Sequence, residues 1–131
     1  MAKYIYPAIF TPEASGYFID FPDFESCYTQ GTDIAGGISM AEDVLSLVLT
    51  HYEDENRKIP IPSDLNALST GNSALATYIA CDTTIYRRLM NKTAVKKTLS
   101  IPSWLNDSAV AAGLNFSQVL QDALKQQLGI V

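Results

Sequence analysis

Four groups of side chains in this 131-residue chain are of types that do chemistry when brought together. Asp20, Asp23 and Glu25 place three carboxylates beside an apolar run, the donor type that holds Mg²⁺ in two-metal hydrolytic sites. Such a site needs acids converging from separated strands. These three lie on one turn, and a solvated or partner-facing acidic edge is the plainer reading. His51 is the single histidine. General acid–base work requires a nucleophile or an orienting acid within hydrogen-bond reach, and no spacing around it supplies one, so it reads as a surface side chain. Lys96, Thr98 and Ser100 alternate with Lys97, Leu99 and Ile101. On a strand they would share one face, where Lys reaches guanine or phosphate oxygens and Thr and Ser bond either kind of base edge. Any half-buried strand exposes the same pattern. Asn115, Phe116 and Ser117 open a second periodic stretch. The free N–H groups and positive dipole end of a helix start suit a phosphate, although plain capping by Asn115 would give the same residues.

The elements that must position these groups follow from periodicity and punctuation. Tyr4–Phe10 and Tyr17–Phe21 read as strands around a turn at Thr11–Gly16, and Ser26–Gln30 as a third strand. Asp33 caps a long helix whose apolar positions Ile34, Ile38, Ala41, Leu45, Val48 and Tyr52 recur at three- and four-residue steps, with Glu42, Asp43, Glu53 and Asp54 on the solvated side. Two prolines in Ile59-Pro60-Ile61-Pro62-Ser63 force an extended segment. Leu65–Asn72 reads as a loop, Ala74–Cys81 as a strand, and Asp82 as the cap of a helix over Thr83–Met90. These elements predict an α+β sandwich of one sheet and one main helix over residues 1–90. Asn91–Thr93 has no pattern of its own and marks the boundary to a second domain, residues 91–131. There, Val95–Ile101 predicts a strand ended by Pro102, Ser103–Ala112 a short helix, Gly113 a left-handed terminator, and Asn115 with Gln118 a capping box. The last helix is expected to bury Val119, Leu120, Ala123 and Leu124, and Leu128 beyond them.

Composition narrows the classes. At 47% hydrophobic and 18% charged the chain is globular rather than disordered. No run of about eighteen apolar residues could span a membrane, and no apolar leader with a small-residue cleavage site opens the chain, so a cytoplasmic protein is expected. Cys27 and Cys81 are expected to be reduced thiols. With His51 they have no zinc-site spacing, and no cofactor or metal is expected. Residues 1–90 hold twelve acidic and five basic side chains, and residues 91–131 two acidic and four basic, for nets of −7 and +2. An acidic front does not suit nucleic acid but suits a basic partner.

The order strand, helix, glycine turn, helix in residues 91–131 resembles the ribbon-helix-helix family of DNA-binding dimers. The physical reading agrees, because one strand and two short helices cannot bury enough surface alone and a lone strand leaves its N–H and C=O groups unpaired. The alternative is a helical hairpin docked on the chain's own core. Farther forward, Gly16-Tyr-Phe-Ile-Asp-Phe-Pro-Asp-Phe-Glu-Ser-Cys-Tyr-Thr-Gln-Gly-Thr-Asp is similar to the signature of HicB-type antitoxins, and Ile59-Pro-Ile-Pro-Ser extends the match. A HicB domain followed by a ribbon-helix-helix tail is one architecture of that family. Ser26 departs from it, standing where a glycine is usual, as does Gly36-Gly37-Ile38-Ser39-Met40, whose glycines would weaken the first helical turn.

The resemblance implies an N-terminal partial RNase H-like (HicB) domain and a C-terminal ribbon-helix-helix domain that dimerises. It implies a non-enzymatic antitoxin that binds and inhibits a HicA-like toxin, an RNA-cleaving protein, and represses its own operon at operator DNA. Lys96, Thr98 and Ser100 would then touch bases, and Asn115, Phe116 and Ser117 phosphate. A homodimer through the tail is the minimum, and contacts between front domains would build a tetramer. The rival readings are an RNase H-like nuclease using Asp20, Asp23 and Glu25, and a regulator with no toxin.

Overall fold

The computed structural model describes residues 2–68, 71 and 73–130. The chain divides into two compact units, residues 1–93 and 94–131.

In the first unit, β1 (Lys3–Glu13), β2 (Gly16–Asp20), β3 (Tyr28–Gly31) and β4 (Leu75–Asp82) form one antiparallel sheet in the order β3-β2-β1-β4. Helix α1 (Ile34–Asp54) packs on it and α2 (Thr83–Met90) packs on α1. The first hairpin is tighter than its composition suggests, since Thr11, Pro12 and Glu13 still pair with Phe18, Tyr17 and Gly16. The two prolines of β1 occupy positions a strand tolerates. β2 pairs with β1 only from Ile9 onward, and β4 reaches only Phe10, so Pro7 and Pro12 each have a neighbour strand on one side alone.

The core is Tyr6, Ala8, Phe10, Ile19, Phe21, Phe24, Cys27 and Ile79 against Ala41, Leu45 and Leu49 of α1. Phe24 bridges the layers, with ring centroids 4.7 Å from Tyr6 and 5.5 Å from Tyr52. The buried stripe of α1 is rotated from the expected one. Gly37 is buried, while Ile34 and Ile38 are exposed. A Cβ at Gly37 would lie 3.1 Å from both Phe10 Cε2 and Ile19 Cδ1, and one at Gly31 would lie 2.4 Å from Gly37 Cα. The glycines let the first turn of α1 sit directly on the sheet and turn Ile34 and Ile38 aside. Asp33 caps that turn by accepting the Gly36 N–H at 2.7 Å.

Ser26 has φ +56°, a left-handed conformation that glycine adopts without steric cost. The Ile59–Ser63 segment is extended as expected and is tied down by Tyr6 Oη donating to the Pro60 carbonyl and by Ser63 bonding Asp23. Within the expected 65–72 loop a 3₁₀ turn forms at Leu65–Ala67; residues 69, 70 and 72 lie outside those described. Asp82 caps α2, accepting from Thr84 and Ile85. Cys27 and Cys81 are free thiols, pushed up by burial to about 12 and about 11.

The second unit holds α3 (Ser103–Ala111) and α4 (Phe116–Leu128). The strand expected at Val95–Ile101 is not formed: residues 94–102 carry no regular element. A strand exists by pairing, and one chain offers this segment no partner. Gly113 has φ +69°, with Leu114 N–H bonding the Ala109 carbonyl at 3.1 Å and Gly113 N–H the Val110 carbonyl at 3.0 Å, the double closure of a Schellman motif. Asn115 caps α4 through the Gln118 N–H at 3.1 Å, but the Gln118 side chain bonds Asp122 instead of returning to Asn115, so the capping box is one-sided. The expected burial of Val119, Ala123, Leu124 and Leu128 does not occur within the chain. Only Leu120 is half-buried, and Trp104 is 68% exposed. Two helices of nine and thirteen residues cannot cover each other's apolar faces.

Candidate functional site

Alternation along residues 94–102 separates two sets of side chains. Lys97, Leu99 and Ile101 line a hollow of about 480 Å³ with Asn106, Phe116, Ser117, Val119, Leu120 and Ala123, and Lys96, Thr98 and Ser100 are exposed outside it. The hollow is mostly apolar. Phe116 and Ser117 therefore share a wall with Leu99 and Ile101, and the Asn115 side-chain oxygen Oδ1 accepts the Gln118 N–H as the cap of α4. Of the six tail residues singled out by sequence, Lys96, Thr98 and Ser100 are exposed at alternate positions of an irregular segment, and the other three are consecutive at the α4 start.

In the front unit the three acids do not converge. Asp23 accepts the Ser63 N–H at 2.9 Å and bonds its hydroxyl, a positioning contact between the β2–β3 connection and the proline segment. Glu25 is exposed, and Asp20 sits on the sheet beside Ile9 and Tyr28. Among the described residues no three His, Cys, Asp or Glu side chains are grouped to hold a metal. His51 is exposed in the last turn of α1.

The strongest electrostatic knot is one that spacing did not reveal. Glu53, expected on the solvated side of α1, has a side chain only 11% exposed. It accepts from Tyr4 Oη at 2.7 Å, Thr83 Oγ1 at 2.9 Å and Arg87 Nη2 at 3.1 Å. Burial by itself would raise this carboxyl. The hydrogen bonds it accepts, those three among them, outweigh burial and hold it down at about 2. Arg87 also pairs with Asp54 at 2.8 Å and reaches the Thr50 carbonyl at 3.3 Å. Burial, with the Glu53 hydrogen bond next, lifts the Tyr4 phenol to about 12. The knot ties β1, the end of α1 and the start of α2 together. Nothing in the spacing of residues 4, 53, 83 and 87 announces it.

A four-stranded antiparallel sheet under one long helix, followed by a small unit with an apolar hollow, defines a class of two-unit α+β chains. Comparison with known proteins gives the class its family. Residues 5–79 match a family model described as a HicB-like antitoxin of bacterial toxin–antitoxin systems, so the chain belongs to the HicB-like antitoxin family. It is similar to Antitoxin HicB 1 of Photorhabdus laumondii, 32% identical over 100 residues that make up 70% of this chain and 64% of that one. The chain thus spans just under two thirds of that relative's length. Among solved structures it is similar to a toxin–antitoxin complex from Streptococcus pneumoniae, at TM-score 0.62, 29% identity and coverage of 95% of this chain and 99% of that one. It shares its fold with a chain of a HicA3–HicB3 toxin–antitoxin complex, at TM-score 0.52 and 20% identity over 60% of this chain and 99% of that one. The mixed α+β architecture with an antiparallel sheet is that of these antitoxin structures. Among the described residues no helix is long and apolar enough to cross a membrane.

Proposed function

We propose that the chain is the antitoxin of a type II toxin–antitoxin pair. Its front unit binds and inhibits a HicA-type RNA-cleaving toxin without catalysing a reaction itself, and its tail represses the operon encoding both proteins. The single observation that carries the two-part reading is that a HicB-like acidic unit is joined to a second unit whose apolar side chains stand exposed. Leu99, Ile101, Trp104, Val119 and Leu124 are 49–68% exposed there.

A second copy supplies what the tail lacks. Two 95–101 segments pairing antiparallel would satisfy each other's backbone groups and close Leu99 and Ile101 over the hollow. The ribbon so formed would present Lys96, Thr98 and Ser100 from both copies to a major groove, with the α4 starts at Asn115–Ser117 beside the flanking phosphates. A homodimer through the tail is the minimum assembly, and contacts between front units would double it to a tetramer. The partial RNase H-like character of the front unit belongs to this proposal as well, as a scaffold kept for binding.

The test is separation of roles. A chain ending at Asn91 should still protect cells from the co-expressed product of the adjacent reading frame and should no longer retard operator DNA in a gel. Full toxicity on truncation would place part of the inhibition in the tail and overturn the division.

A further inference from the structure

The face of the sheet turned away from α1 carries a row of directly paired residues, one from each strand: Tyr28, Asp20, Ile9 and Ala76. Directly paired residues share a face. The opposite face, with Tyr6, Ala8, Phe10 and Ile19, is buried under α1. Beside the row stand Phe18, whose ring centroid is 5.8 Å from that of Tyr28, and farther along β1 and β4 the pairs Pro7–Tyr78 and Ile5–Ala80. Tyr28, Ile5 and Tyr78 are 58%, 49% and 41% exposed. Among the described residues no helix of the front unit packs on this face; Pro7 is buried on its Tyr78 side, which the 3₁₀ turn reaches as Leu65 N–H bonds Tyr78 Oη at 3.2 Å, and the Tyr28–Asp20 side is the open part.

In the middle of this apolar surface stands one carboxylate. Asp20 is half-buried, and among the described residues no hydrogen-bond donor and no cation reaches it. Burial raises its pKa, the sign of a charge whose environment leaves it uncompensated. An acid with aromatic rings beside it matches a guanidinium or ammonium group, which would gain the ion pair and the ring faces together. The net charge of −7 over residues 1–90 steers the same kind of partner and repels nucleic acid and anionic lipid. A second copy of the front unit is poorly equipped, since two of the five cations in residues 1–90 are engaged, Arg87 with Glu53 and Asp54 and Arg57 over the Tyr52 ring.

We propose that this open sheet face seats a cationic protein segment, with an arginine or lysine entering beside Tyr28 and Phe18 onto Asp20, and that it is the toxin-facing surface of the chain. The location rests on the antitoxin reading above. The experiment is calorimetric titration of the full chain with the purified product of the adjacent reading frame. Asp20→Asn, nearly isosteric at this half-buried position, should weaken binding at least tenfold, Asp20→Lys about a hundredfold or more, and Tyr28→Ala about tenfold. Asp43→Asn, on the exposed side of α1, should stay within twofold. Far-ultraviolet circular dichroism and the urea midpoint of each variant should match the wild type. In the wild-type complex, amide exchange should slow in residues 16–31. Binding by Asp20→Asn and Tyr28→Ala within twofold of the wild type would overturn the location while leaving the antitoxin reading intact. No binding by the wild type would overturn both.

Discussion

Gly31→Ala is the sharpest test of how α1 meets the sheet. A Cβ at residue 31 would lie 2.4 Å from Gly37 Cα and 2.7 Å from Gly37 N, which are backbone atoms that no rotamer change can move away. Ordinary contact begins near 3.4 Å, so the first turn of α1 must retreat by about 1 Å from β3. That retreat loosens Gly37 from Phe10 and Ile19. Overpacking of this kind costs roughly 1–3 kcal/mol, and more where backbone must shift, so a loss of about 3 kcal/mol is expected. All seven tyrosines lie in residues 1–93 and the single tryptophan, Trp104, in the tail, so tyrosine fluorescence in urea follows the front unit by itself. With a denaturant slope of about 1 kcal/mol/M for a unit of this size, the midpoint should fall by about 3 M. Gly71→Ala is the control, because a Cβ there meets nothing within 4 Å; it should change stability by less than about 0.5 kcal/mol. A Gly31→Ala midpoint within 0.5 M of the wild type would mean that strand and helix do not approach as described, and the account of the rotated α1 face would fall with it.

Three further outcomes are expected. Ser26→Gly should raise the stability of the front unit by about 0.5–1 kcal/mol, the left-handed penalty removed less the entropy a glycine adds to the unfolded chain, and Ser26→Val should lower it; equal urea midpoints for Gly, Ser and Val would contradict the φ of +56°. Because the folded Glu53 carboxyl lies at about 2, below the ordinary value near 4.3, it contributes stability above the unfolded pKa that is lost as pH falls from about 5 to 2. Allowing for the water that still reaches it, the loss should be about 1–2 kcal/mol, and Glu53→Gln should flatten the stability profile across that window; an unchanged profile would remove the knot from the account. On the proposed role of the tail, Thr98→Ala should relax operator discrimination by about 1–3 kcal/mol, whereas Lys96→Ala, if that lysine touches phosphate, should reduce the salt slope of binding by about one unit. Operator titrations identical to wild type in both variants would refute the ribbon.

The front unit was legible wherever local rules decide. Asp33 and Asp82 cap the helices they were expected to cap, and the order of strands and helices follows the switch from two-residue to helical periodicity. The misses are places where distant residues set the outcome. Ile34 and Ile38 satisfy a helical stripe in sequence, yet Gly31 and Gly37, six residues apart, choose a different face by letting two backbones meet. Glu53 reads as solvated because its partners stand 49, 30 and 34 residues away. Ser26 could be noticed as a departure from a family pattern, but only its dihedral gives the reason for a glycine there. In the tail, Gly113 and Asn115 act as local signals say, whereas no strand forms at 95–101 and α4 buries none of its side chains, because both outcomes need pairing and packing that local signals do not supply.

That neither α3 nor α4 buries a side chain carries a consequence for dosage. A unit with its apolar faces exposed is stabilised further by mass action, by an amount that grows with the logarithm of the concentration of whatever covers it. If that cover is a second copy, the DNA-competent species varies with the square of protomer concentration while most of the protein is monomeric. Toxin neutralisation by the front unit would vary only with its first power. The same molecule would then inhibit at low abundance and repress only above a threshold, a division of labour set by leaving one small hydrophobic surface unfinished.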